Sequence, residues 1–138
     1  MGSKKTVSIW ASNTGWKSST LKHVMSPAYS DVGDILGSEF SNAFSLGFVD
    51  DDTIEAFKIE PTNSMMAAIE GCSYYLNIVS DMKNKNIPLS AAPIDTIVAI
   101  YDYSFSGKPK HVTIRTHIFE YQGGFEYEAP SLLTKNWK

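Results

Sequence analysis

IDTIVAIYDYSF, residues 94–105, decides the fold. Its first eight residues are apolar on both faces for much of their length, without the polar alternation of a half-buried strand. Such a run reads as a central strand covered on both sides. SFSGKPK (104–110) then supplies a turn, and HVTIRTHIFEY (111–121) reads as a further strand that alternates. Its period places Val112, Ile114 and Ile118 inward, and Thr113, Arg115, His117 and Phe119 on the opposite face.

Upstream, TVSIWAS (6–12) alternates with Val7, Ile9 and Ala11 on one face and predicts a strand. Asn13 to Gly15 break it, and WKSSTLKHVM (16–25) predicts a short helix that Pro27 ends. Between Asp31 and Leu46, Ile35 or Leu36, then Phe40, then Ala43 and Phe44 recur at helical spacing. They predict another short helix, capped by Ser38 and closed by Gly47 in the left-handed conformation. TIEAFKIE (53–60) reads as a strand. In SMMAAIEGCSYYLNIVSDMKNKN (64–86), Met65, Ile69, Cys72, Leu76 and Val79 fall on one helical face, and Gly71 and Ser73 divide the stretch into two helices. The order predicts one α+β domain over residues 1–138, with a mostly antiparallel sheet of about four strands and helices packed on one face. Residues 1–5 read as a tag-like or disordered start. Residues 122–138, aromatic and punctuated by glycine and proline, read as an irregular C-terminal tail wrapping the body.

A chain of 138 residues with 43% hydrophobic and 20% charged residues buries a single sizeable core. No apolar run reaches the roughly 18 residues of a membrane span, and no signal peptide is visible, so the expected location is the cytoplasm. Cys72 is the sole cysteine, which excludes an internal disulfide and agrees with a reducing compartment.

The net charge of −3 conceals an asymmetry. Residues 31–60 hold eight acids (Asp31, Asp34, Glu39, Asp50, Asp51, Asp52, Glu55 and Glu60) and one base, Lys58, for −7. The remainder holds seven acids against eleven bases, for +4. Phosphates would be repelled by the acidic block, which argues against nucleic acid docking there and suits a basic partner or a cation.

Three readings of FVDDDTIEAF (48–57) compete: a metal site, solvated turn acids, and a partner-facing patch. A calcium loop starting at Asp50 fails, because Ile54 and Glu55 occupy its fifth and sixth positions, where a ligand and a glycine are needed. Asp50 and Asp52 could face one way as a magnesium pair. His23, His111 and His117 form no zinc spacing, and the register of Cys72 makes it a core residue rather than a nucleophile. HVT (111–113) is half of a motif that two-histidine phosphoesterases use twice, but the second copy is absent. A small phosphoesterase using His111, Arg115 and His117 is the enzymatic alternative, and a covered strand face explains the same residues. A housekeeping interaction module is the third class. No phosphate loop, GxGxxG or GxSxG occurs, and no cofactor is expected.

VSIWASN (7–13), GSEFSNAFSLGFVDDDTIEA (37–56) and SMMAAIEGCSYY (64–75) stand in an order and spacing that resemble the immunity protein 22 family of bacterial polymorphic toxin systems. The residues carrying the resemblance are Trp10; Gly37, Ser38 and Phe40; and Asp50, Asp52, Ile54 and Glu55. It covers about residues 6–103, and ASNTGW after Trp10 departs from the glycine-containing continuation such chains show. The resemblance implies a non-enzymatic antidote, monomer or weak homodimer, that binds the C-terminal domain of a secreted or contact-delivered toxin. Toxins paired with such families are often nucleases with basic clefts. Asp31, Asp34, Glu39, Asp50, Asp51, Asp52 and Glu55 are the expected toxin-binding residues, with no nucleic acid or membrane partner.

Overall fold

In the computed structural model, which describes residues 3–47, 49–87, 90 and 92–129, twelve elements follow one another. They are β1 (Ser3–Ser12), α1 (Ser18–Met25), β2 (Ala28–Tyr29), β3 (Ile35–Gly37), α2 (Glu39–Ala43), a 3-10 turn (Asp51–Thr53), β4 (Ile54–Thr62), α3 (Met65–Ala68), α4 (Tyr75–Asn84), β5 (Ile94–Tyr101), β6 (His111–Ile114) and β7 (His117–Ala129). Five strands form one sheet in the order β4-β5-β1-β7-β6, every neighbouring pair antiparallel, and β2 and β3 form a separate hairpin. The α+β antiparallel reading holds, with five strands in place of about four.

Cover on both faces of β5 comes from helices on both sides of the sheet, not on one. Ile97 and Ala99 join Val7, Ile9 and Ala11 in a core closed by Met65 and Ala68 of α3 and Ile78 and Met82 of α4. Val98 and Ile100 join Trp10 in a second core, closed by Leu21 and Val24 of α1 and Phe40 and Phe44 around α2. All of these side chains are buried. β1 is thus not the one-faced strand that Val7, Ile9 and Ala11 suggest, since Trp10 feeds the other core.

Three further differences follow from turns. The stretch 111–121 is not one strand: Arg115 (φ 48°) and Thr116 (φ 70°) make a two-residue hairpin turn between β6 and β7. Positive φ at both central positions matches the right-handed twist of the flanking strands. The reversal resets the alternation, so Phe119 is fully buried while Ile118 is 60% exposed. Second, residues 122–129 are regular strand rather than irregular tail, and β1 begins at Ser3 inside the expected loose start. The rest of the expected tail, with Trp137, lies outside the described residues. In β7, Trp10 pairs with Tyr121 and Ile9 with Gly123, leaving Gln122 as a bulge. One extra residue flips the face, so Phe119 and Tyr121 pack with Trp10 while Phe125 and Tyr127 pack with Val7 and Ile9. Third, the helical stretch divides as predicted, but Tyr74 at the junction adopts φ 61° and shifts the phase. α4 consequently buries Ile78 and Met82 and leaves Leu76 78% exposed.

A charged network ties the loop after β1 to the sheet. Lys58 Nζ lies 2.9 Å from Asp95 Oδ2, with both side chains largely buried. Asp95 also accepts from the backbone N–H groups of Thr14 (2.9 Å) and Gly15 (2.8 Å) and from Thr96 Oγ1 (2.7 Å). Burial pushes the Asp95 carboxyl up, but donors from Thr96, Lys58, Thr14 and Gly15 outweigh it and hold the group at about 2.

A carboxyl depressed in the folded state stabilises above its unfolded value, near 4, and that stability is lost as pH falls through the folded value. The drop from 3.8 to about 2 corresponds to about 2 kcal/mol. Urea unfolding of Asp95→Asn is expected to show a loss of about 3 kcal/mol at pH 7, where Lys58 loses its counter-charge. That deficit should shrink by about 2 kcal/mol between pH 5 and pH 2; a constant deficit would assign the loss to packing.

Candidate partner-binding face

α2 positions the acidic region. Phe40 and Phe44 anchor it against Trp10, at ring-centroid distances of 5.2 and 5.7 Å. The predicted cap is present and reciprocal: Ser38 Oγ accepts from Ser41 N–H (3.0 Å), and Ser41 Oγ accepts from Ser38 N–H (2.9 Å). Gly47 has the expected positive φ of 73°. The helix nevertheless begins only at Glu39, and Ile35 and Leu36, expected on its buried face, instead form β3 and are about half exposed.

The β2–β3 hairpin is held at both ends. At its tip, Gly33 N–H donates to the Ser30 carbonyl (2.9 Å), and Asp34 N–H donates to Ser30 Oγ (3.0 Å). At its base Asn42 Nδ2 donates to the Leu36 carbonyl (3.1 Å). Gly37, at φ 82°, carries the chain from the hairpin into the α2 cap so closely that a Cβ there would sit 2.5 Å from Asn42 Oδ1.

The seven acids expected to bind a partner separate into two groups. Glu39 gives both oxygens to Arg115, through Nε at 2.9 Å and through Nη2, and that hydrogen bonding holds its carboxyl below the usual range. Glu55 is half-buried on β4. Its carboxylate accepts from the Tyr101 hydroxyl (2.6 Å), the Ser73 N–H (2.9 Å) and Ser73 Oγ, pinning the α3–α4 junction to the sheet. These two therefore act inside the molecule. Asp31, Asp34, Asp50, Asp51 and Asp52 are exposed, and among the described residues none lies within 4.0 Å of a basic side chain.

The aspartate triplet also has a local role. Asp50 Oδ1 accepts from Asp52 N–H (3.0 Å), and the Asp50 carbonyl accepts from Thr53 N–H (2.9 Å) and Thr53 Oγ1 (2.6 Å). Asp50 thus caps the 3-10 turn leading into β4, while Asp51 and Asp52 occupy its first turn with carboxylates in solvent. Among the described residues no three His, Cys, Asp or Glu side chains are placed to hold a metal ion.

Sequence reasoning missed the apolar part of this face. Tyr29 (61% exposed), Val32 (84%), Ile35 (52%) and Leu36 (53%) crowd one small hairpin. Between the hairpin, the end of α1 and the 3-10 turn lies a cavity of about 420 Å³. The signal available was four large apolar residues within eight positions whose helical phase with Phe40 required Gly37 and Ser38 inside a helix.

The residues of the enzymatic alternative are not assembled into one site. Arg115 is paired with Glu39, His111 Nε2 lies 3.0 Å from Glu120, and His117 stacks edge-on against Trp16 at 5.5 Å. Cys72 is buried, and burial, then the Glu55 charge, push its thiol up to about 12. No helix among the described residues is long and apolar enough to cross a membrane.

By sequence, a family model described as Immunity protein 22 matches residues 7–128, a span that includes the β6–β7 hairpin. No curated protein and no solved structure matches the chain.

The two groups of acids should separate in unfolding experiments. Glu55→Ala leaves the Ser73 N–H without its acceptor and takes one of two acceptors from the Tyr101 hydroxyl, which keeps the Ser73 carbonyl at 2.8 Å, and is expected to cost about 1–3 kcal/mol. Asp51→Asn and Asp52→Asn are expected to stay within about 0.5 kcal/mol of the parent. Equal losses at all three positions would contradict the division.

Proposed function

The chain belongs to the immunity protein 22 family, which implies a protein that neutralises a toxin, and on that premise we propose that it binds its cognate toxin domain through the acidic face. The binding is stoichiometric and non-enzymatic: the protein occludes the toxin's active site inside the producing cell's cytoplasm. The toxin, secreted or delivered by contact, is a basic domain of the nuclease type, whose positive cleft would otherwise hold nucleic acid. Supporting this reading are the five exposed aspartates of the hairpin tip and the 3-10 turn, which have no basic partner among the described residues. Uncompensated like charges on one face raise the folded state's self-repulsion, and a cationic partner converts that cost into attraction. Steering by such a field raises association rates by roughly 10–10³-fold at low salt.

The test takes as candidate toxin the C-terminal domain of a large secreted protein encoded next to this chain's gene. Co-expression should restore growth of cells making that domain, and the purified pair should associate more slowly as salt rises. Combined Asp50→Asn, Asp51→Asn and Asp52→Asn substitutions are expected to slow association about tenfold at low salt and flatten its salt dependence. An unchanged rate would remove the acidic face from recognition. Undiminished killing by the toxin would remove the immunity role itself.

A further inference from the structure

We propose that the cavity beneath the β2–β3 hairpin is a socket for an apolar anchor residue of the toxin, flanked on the toxin by a lysine or arginine. This inference rests on the toxin-binding reading above and adds the chemistry of the segment that is bound.

Four of the seven large apolar residues exposed among the described residues belong to this one hairpin. Apolar side chains clustered on a short surface element contribute little to the protein's own core, and a contiguous patch of this kind marks an interaction surface. The cavity behind them, at about 420 Å³, is large enough to enclose an aromatic or branched side chain together with part of its neighbour. Leu36, Ile35, Tyr29 and Met25 form its apolar wall, Asp50 and Asp51 stand at its rim, and among the described residues no basic one lines it. An apolar floor under two carboxylates is complementary to an anchor beside a cation. Arginine and lysine fit the rim best, because their stems cover apolar surface while their charged ends reach a carboxylate. A purely apolar segment would leave the aspartates desolvated and unpaired, and an acidic one would be repelled.

The socket also has a direction. A second cavity, of about 470 Å³, lies between α1 and β4 and shares Met25, Asp51 and Ile54 with the first. Lys22 enters the wall there. A segment that extends from the first cavity over the second would place its cationic end at Asp50 and Asp51 and its uncharged or acidic end toward Lys22 and Lys58.

The two kinds of residue then control different rate constants. Charges at the rim act on encounter, whereas an anchor in a desolvated socket acts on escape. With that purified candidate toxin domain as probe, Ile35→Ser combined with Leu36→Ser is expected to accelerate dissociation at least tenfold and to leave association within about twofold. Both side chains are about half exposed, so the thermal midpoint should hardly change; Val32→Ser, at the exposed tip, is a second, milder variant expected to act in the same direction. Parent-like dissociation of both variants from a toxin that the parent protein still binds would overturn the socket and leave the immunity role standing. Absence of binding by the parent protein would instead overturn the reading on which the socket rests.

Discussion

Packing around Trp10 is the constraint on which the proposed partner face depends. Its indole is fully buried and meets Phe40, Phe44, Phe105 and Tyr121 at centroid distances of 5.2 to 5.7 Å. These four rings come from α2 and its C-terminal cap, the loop after β5, and β7, so one side chain on a central strand gathers three separate segments. Aromatic pairs of this geometry contribute about 0.5–1.5 kcal/mol each beyond burial. α2 is only five residues long and would not persist alone, so its position is set by Phe40 and Phe44. The hairpin is joined to α2 through Gly37 and the Asn42 hydrogen bond, and thus inherits that position. Trp10 Nε1 has no hydrogen-bond partner among the described residues, and its contacts there are those of shape and apolar packing.

The acidic block contains two physical classes. Glu39 and Glu55 meet donors in a fixed geometry and hold distant parts of the chain together. The five aspartates remain exposed, an arrangement a folded protein tolerates where the carboxylates stay in water or cap backbone N–H groups. Asp50 does the latter. A surface that combines this charge with exposed aliphatic side chains has the anatomy of an interface, an apolar centre inside a charged rim.

Much of the architecture was legible because it depends on local or periodic signals. The covered run at 94–100, the Ser38 cap, the Gly47 stop and the break near Gly71 and Ser73 each reflect interactions over a few residues. Where reading failed, a phase changed without a marker. Arg115 and Thr116 form a tight turn although neither favours positive φ, so 111–121 resembles one alternating strand. The bulge at Gln122 and the left-handed Tyr74 likewise reset which side chains face inward. Ile35 and Leu36 misled for a different reason: apolar residues at helical spacing read as core, and these are half exposed.

From the residues alone came the class of fold, the acid excess between 31 and 60, and the resemblance that family membership bears out. Composition and short-range pattern suffice for those, since they do not depend on which distant groups meet. Only the tertiary structure decided which acids remain available and where the hairpin's exposed apolar side chains lie. Glu39 finds Arg115 across 76 positions, and Glu55 finds Tyr101 across 46. Side-chain pairing at such separations is set by strand order and register, because a carboxylate's availability depends on whether folding carries a donor to it.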